Sequence, residues 1–358
     1  MTTVTLFLLH FNRQSKKTRL IFLRITVVIF VITLLEICAL LYYRAFILNA
    51  KEAPRYNYGR TQYWIVDDEL GFKPEPSKLI NARKKYNDNT IYDTEYSIDS
   101  HGLRKTKSAG SAQCSFLFFG GSTTFGEGLP DNHTLPYQFS KALNYNYNVF
   151  NFGFHGYGPH QMLRILQKST RDELSDNRIS VVFYVLASED GFSTVGALRK
   201  YIGGPKYVIR NGHPAYVGNL NSMDGALNSW ADFVRSSLTV LRSSQLFNLL
   251  YGYPEITSTD YINDLVLLVS SIFSESHLVV KVKYNARFVI IHWSDTSYFS
   301  KEIISVLKDK DVIMIDKAEL LQQSWSSDYL INNDKYPGVK ANKEMSAALA
   351  SQFGFCQG

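Results

Sequence analysis

Two apolar patterns divide this chain. From Ile25 to Tyr43 the sequence is apolar with one charge, Glu36. From residue 111 onward, short apolar runs alternate with segments of helical period. The runs 115–119, 147–152, 180–186, 287–292 and 311–315 have the length and the β-branched and aromatic content of buried strands. The segments 134–144, 159–171, 261–280, 298–309 and 338–352 read as helices. Strands alternating with helices predict an α/β domain, a doubly wound, five-stranded parallel sheet with right-handed crossovers. Residues 193–258, with Gly203-Gly204-Pro205 and Asn211-Gly212, read as an irregular insertion after the third strand. Residues 49–110 are polar and rich in Tyr, Asn and Lys. Around 67–74 and 92–99 they read as short strands or ordered loops, with a turn at His101-Gly102-Leu103-Arg104. Aromatics are too frequent there for disorder, so the segment is expected to pack on the main domain.

Charge turns the first pattern into a topology. Arg13, Lys16, Lys17, Arg19 and Arg24 precede the apolar segment, and no acid occurs before Glu36. A bilayer-spanning helix needs about 20 apolar residues. Tyr42, Tyr43 and Arg44 suit the lipid–water interface, and the Lys/Arg bias keeps the N-terminus inside. The expected organisation is a basic tail at 1–24, a transmembrane anchor at 25–48, a lead-in at 49–110 and the α/β domain at 111–358. A cleaved signal peptide is the alternative, although no small-x-small site follows Tyr43. Either reading puts the main domain outside the cytoplasm, in the periplasm of a Gram-negative cell. Net charge is +6 but is not gathered into a basic stripe, so no nucleic-acid partner is expected. The three cysteines form no CxxC or Cys/His cluster, so no metal or other cofactor is expected. A Cys114–Cys356 bridge is compatible with an oxidising compartment and is not demanded.

The candidate chemistry sits at strand ends. Gly120-Gly121-Ser122-Thr123-Thr124-Phe125-Gly126 follows the first run. Glycines let the chain turn sharply there. Ser122 then stands at the C-terminal edge of the sheet, where open α/β folds bind ligands. The second run ends in Asn151-Phe152-Gly153-Phe154-His155-Gly156-Tyr157-Gly158, whose backbone N–H groups can approach a ligand and hold an oxyanion. The third ends in Ala187-Ser188-Glu189-Asp190-Gly191. Asn332-Asn333-Asp334-Lys335-Tyr336-Pro337-Gly338 leads into the last helix. Four polar clusters at one sheet edge predict a site.

In order and content these blocks resemble the SGNH (GDSL-type) hydrolases over roughly 111–358, and more narrowly the membrane-anchored bacterial members. The resemblance implies a flavodoxin-like sheet. It makes Ser122 the nucleophile and gives the oxyanion hole to the Ser122 and Gly156 N–H groups. Two positions depart from the family pattern. Glu189 stands where the family has an oxyanion-donating asparagine, and Tyr336 stands where it has the catalytic histidine. The acid partner, Asp334, is kept. A phenol of pKa about 10 is a poor base at neutral pH, and a serine needs an adjacent base. The base is therefore an Asp334/Tyr336 arrangement or a substitute histidine, with His292 and His155 the candidates. The implied activity is an esterase or acyl-transfer enzyme acting on O-acyl groups of a cell-envelope glycan or lipid. The alternative is a catalytically impaired relative that binds a glycan or an envelope partner.

Overall fold

The computed structural model describes residues 15–42, 56–59, 62–86, 89–109, 112, 114–168, 178–187, 194, 204–220, 259–292, 298–308, 310–331 and 334–356. The chain divides into two compact units, 1–54 with 227–257, and 55–226 with 258–358. In the first, the described element is helix α1, Lys16–Tyr42. It is long and apolar enough to cross a membrane, as a span or as a signal sequence. Among the described side chains, large apolar ones are exposed on every face, from Leu20 to Ile37 and at Leu41, while Ala39 is buried. Its two threonines return their hydroxyls to the helix: Thr26 to the Phe22 carbonyl and Thr33 to that of Ile29. Residues 43–48 of the expected span lie outside the described residues.

The second unit is built on a five-stranded parallel sheet. In chain order its strands are β6 (Ser115–Gly120), β7 (Asn148–Asn151), β8 (Ile179–Leu186), β11 (Arg287–His292) and β12 (Ile313–Asp316). They lie side by side in the order β12-β11-β8-β6-β7, all pairs parallel. This is the doubly wound 2-1-3-4-5 arrangement, and its switch point lies between β6 and β8. Strands β6 and β8 are buried along their whole length, as strands covered on both faces must be. Alternation sorts their side chains between two cores. Phe116, Phe118, Val181 and Phe183 face Leu135, Met345, Leu349 and Phe353. Those residues belong to helices α3 (Leu135–Ala142) and α7 (Val339–Phe353). Leu117, Phe119, Val182 and Tyr184 face the opposite core, which holds α4 (Pro159–Lys168), α5 (Thr259–Tyr284) and α6 (Tyr298–Lys308). Helix α5 is also membrane-length, but it is half buried as a layer on the sheet. Cys114, just before β6, is bonded to Cys356 beyond α7.

The segment ahead of the sheet is itself a β structure. Strands β1 (Tyr56–Gly59), β4 (Leu79–Tyr86) and β5 (Asn89–Ser97) form one antiparallel sheet, and β2 (Trp64–Asp67) pairs with β3 (Gly71–Pro74). Tyr63, Phe72, Ile80, Ala82, Tyr92, Tyr96 and Leu103 belong to the same buried core as Leu117 and Tyr184. The region read as irregular contains a hairpin, β9 (Pro205–Arg210) and β10 (His213–Asn219). Asn211 and Gly212, both at positive φ, form its two-residue turn. Asn-Gly is the favoured pair for that turn, so the signal was in the sequence. The rest of 221–258 lies outside the described residues.

Candidate active site

Strand β6 ends at Gly120, whose φ is +143. A Cβ there would collide with the Thr124 side chain and stand 2.8 Å from the Val185 carbonyl oxygen. Only glycine allows the turn that opens the single-turn helix α2 (Ser122–Phe125). The Ser122 carbonyl accepts from the Gly126 and Glu127 N–H groups, both at 3.0 Å. That leaves the half-buried side chain of Ser122 at the C-terminal sheet edge.

The loop after β7 is stitched to this turn. Phe152 and Phe154 donate to the Phe118 and Gly120 carbonyls at 2.8 and 3.2 Å. The Asn151 amide donates to the Thr124 carbonyl at 3.0 Å, and its oxygen accepts from the Gly153 N–H at 2.9 Å. A Cβ on Gly153 would stand 2.6 Å from both the Phe125 nitrogen and the Thr124 Cβ. The second block therefore needs a glycine because it lies directly on the first. Three residues on, Gly156 is half buried at φ +77. Its N–H donates to no acceptor among the described residues.

The Ser122 hydroxyl donates to the Tyr336 hydroxyl at 3.2 Å, across 214 residues of sequence. The fourth block thus reaches the serine, and it is a phenol that touches it. Among the described residues no imidazole bonds to Ser122. His155 is 5% exposed and turns Nδ1 to the Glu127 carboxylate at 2.8 Å. Its ring packs 4.4 Å from that of Phe125 and edge-on to Tyr63. Glu127 also accepts from the Tyr92 hydroxyl. Burial, with the Glu127 carboxylate next, pushes the Tyr92 phenol far up, so it stays a neutral donor. His292 ends β11, and β8 stands between it and β6. Its Nδ1 lies 3.7 Å from Asp316 on β12, the neighbour on the side away from Ser122. Burial pushes its pKa down, with Asp316 opposing. Glu189 lies outside the described residues.

Asp334 is held by a lysine. Its carboxylate meets Lys84 Nζ at 2.7 Å, with side chains 4% and 5% exposed. Lys84 Nζ also lies 5.8 Å from the centre of the Tyr336 ring, and Lys335 Nζ lies 5.6 Å from it. Sequence reasoning missed Lys84. The signal was there: in β4 the inward positions are Ile80, Ala82 and Lys84, and a charge on a core-facing position asks for a partner.

The same segment grips the serine loop. Tyr96 accepts from the Gly128 N–H at 2.8 Å. Arg104, buried against the rings of Tyr96 and Phe125, donates to Asp131 and to the Leu129 carbonyl, each at 2.8 Å.

No family model matches this sequence, and no curated protein does. Solved structures match by shape. An acetyl xylan esterase (Est2A) from Butyrivibrio proteoclasticus is 11% identical with a TM-score of 0.36, over 76% of this chain and 68% of that one. A carbohydrate acetylesterase family member from Sinorhizobium meliloti is 9% identical with a TM-score of 0.31, over 68% and 100%. The likeness is one of shape alone.

Proposed function

We propose that this chain is a serine-dependent esterase or acyl-transfer enzyme of SGNH type. We read it as anchored by α1 and working outside the cytoplasm on O-acyl groups of an envelope glycan or lipid. The observation that carries the reading is the 3.2 Å hydrogen bond from Ser122 to Tyr336 at the switch point of the sheet. Ser122 Oγ attacks the ester carbonyl carbon, and its proton passes to the Tyr336 oxygen. The oxyanion accepts from the Ser122 and Gly156 N–H groups. When the carbonyl re-forms, the ester C–O bond breaks and the alcohol leaves with the proton from Tyr336. Water or an acceptor alcohol then releases the acyl group by the same steps. A phenol takes a serine proton only when ionised or when it passes its own proton on. The reacting form in this proposal is the Tyr336 phenolate, with Lys84 and Lys335 Nζ 5.8 and 5.6 Å from its ring centre. Glu189 belongs to this proposal as a residue of the third loop. The Cys114–Cys356 bond supports the oxidising compartment.

One observation favours a second reading, a binding protein that keeps the cleft. Asp334 is bound to Lys84 and so is not orienting a base in the usual way. The test is hydrolysis of p-nitrophenyl acetate and labelling by a fluorophosphonate, using the full chain in detergent. The wild type should do both and Ser122→Ala neither. Equal activity in Ser122→Ala would refute the site. An inert wild type that gains activity in Tyr336→His would decide for the binding protein.

A further inference from the structure

We propose that Lys84 is a positioning residue of this site: through its buried pair with Asp334 it holds the turn that lays Tyr336 on Ser122. This rests on the reading of Ser122 as nucleophile.

The placement begins in β4. Arg83 turns outward to Asp93 on the neighbouring strand, and Lys84 turns inward. Its partner Asp334 is 250 residues away, and both side chains are almost fully out of solvent. A buried ion pair is a poor stabiliser beside two apolar side chains of the same volume, because desolvating the charges offsets their attraction. What such a pair supplies is register, since neither partner can move without leaving the other charge buried alone.

Here the register belongs to one turn. The Asp334 N–H donates to the Ile331 carbonyl at 2.8 Å, and the Ile331 N–H to the Tyr336 carbonyl at 2.9 Å. The second oxygen of Asp334 accepts from the Lys335 N–H at 2.8 Å. Residues 331 and 334–336 are thus closed on themselves. The Lys84 ammonium ties that closed turn to β4 and lies 5.8 Å from the centre of the Tyr336 ring. Tyr336, two residues from the tethered aspartate, is the side chain Ser122 touches. The site is therefore completed by a strand that precedes the parallel sheet.

The test is a double-variant cycle on the full chain in detergent, with Lys84→Met, Asp334→Asn and both together. The first readout is the rate of fluorophosphonate labelling, in which the Ser122 Oγ–P bond forms and fluoride leaves. The second is kcat and KM for p-nitrophenyl acetate. Lys84→Met should slow labelling at least tenfold and lower kcat by a similar factor, with KM within twofold. The end-point of labelling counts the folded sites, so a mere loss of folded protein would lower that end-point and leave the labelling rate constant of the remainder unchanged. Because Lys84 acts through Asp334, the double variant should be slowed no more than the slower single variant. The double variant leaves no buried charge alone, so it also serves if Lys84→Met does not fold. Lys84→Met, or in its place the double variant, working within twofold of wild type would overturn the proposal. So would slowings that multiply in the double variant. If wild type is not labelled at Ser122, the reading of the site falls and this inference with it. Labelled wild type with unaffected Lys84 variants sinks the inference alone.

Discussion

His160 gives this fold an acid-sensitive point whose size can be worked out. It sits in the first turn of α4 and is 1% exposed. Its Nδ1 has no hydrogen-bond partner among the described residues. Burial alone pushes its pKa down to about 3. In the unfolded chain a histidine titrates near 6.5. Below pH 6.5 the unfolded state therefore takes up a proton that the folded state refuses. Stability falls as pH drops from 6.5 toward 3, at a slope approaching about 1.4 kcal/mol per pH unit, and the loss is complete below about 3. Between pH 7 and pH 5 this amounts to about 2 kcal/mol. Other groups also respond to acid, so the measurement is a difference. Urea midpoints at pH 7 and pH 5 are compared between wild type and His160→Gln, which cannot titrate and is no larger. A larger side chain has little room, because a Cβ built on Gly204 already stands 2.8 Å from His160 Nε2. The wild type should lose about 2 kcal/mol more than the variant over this interval. Parallel losses would refute the argument and mean that the imidazole is hydrated or paired in solution.

Two further expectations concern how the site is held. Gly153→Ala puts a methyl group 2.6 Å from the Phe125 nitrogen and the Thr124 Cβ. It should cost about 1–3 kcal/mol as overpacking does. It should also slow Ser122 labelling more than tenfold, because the loop carrying Gly156 is displaced; a wild-type melt and rate would count against the close approach. Cys114 and Cys356 are 242 residues apart in sequence. Reducing their bond, or replacing both with serine, should lower stability by about 3–5 kcal/mol through the freed unfolded chain. Thermal melts with and without reductant measure this, and coincident curves would contradict it.

The parallel sheet was legible because its strands are buried on both faces. Ser-Phe-Leu-Phe-Phe and Ser-Val-Val-Phe-Tyr-Val-Leu cannot be amphipathic surface, and the structure buries every residue of β6 and β8. The serine turn was legible too, since Gly120 and Gly153 are glycines for steric reasons that act locally. The end strand was less so. Its apolar run reads as 311–315, and β12 is Ile313–Asp316, with Asp311 at positive φ in the preceding turn. The hairpin was overlooked because its strands, Pro-Lys-Tyr-Val-Ile-Arg and His-Pro-Ala-Tyr-Val-Gly-Asn, each carry a proline and polar termini.

Which side chain meets Ser122 was illegible for a different reason. A sequence shows which residues end strands at one edge, but not the direction in which each side chain leans. His155 follows the second strand, yet its Nδ1 meets the Glu127 carboxylate and its ring packs on that of Phe125. His292 stands at the same edge two strands from β6, and the ladder register sets it beside Asp316. Neighbouring strands lie about 4.8 Å apart, so two strand spacings separate it from β6. Tyr336 has neither handicap, because its turn is tied to Lys84, outside the parallel sheet. The residue that decides the geometry of the fourth block is thus encoded 250 positions before it. It lies in a segment that reads, taken alone, as a connector. A phenol against Ser122 is hard to place only while the parallel sheet is read without the segment before it. Once β4 is counted, the phenol has the Lys84 ammonium 5.8 Å from its ring centre and a turn tied to a strand outside the parallel sheet.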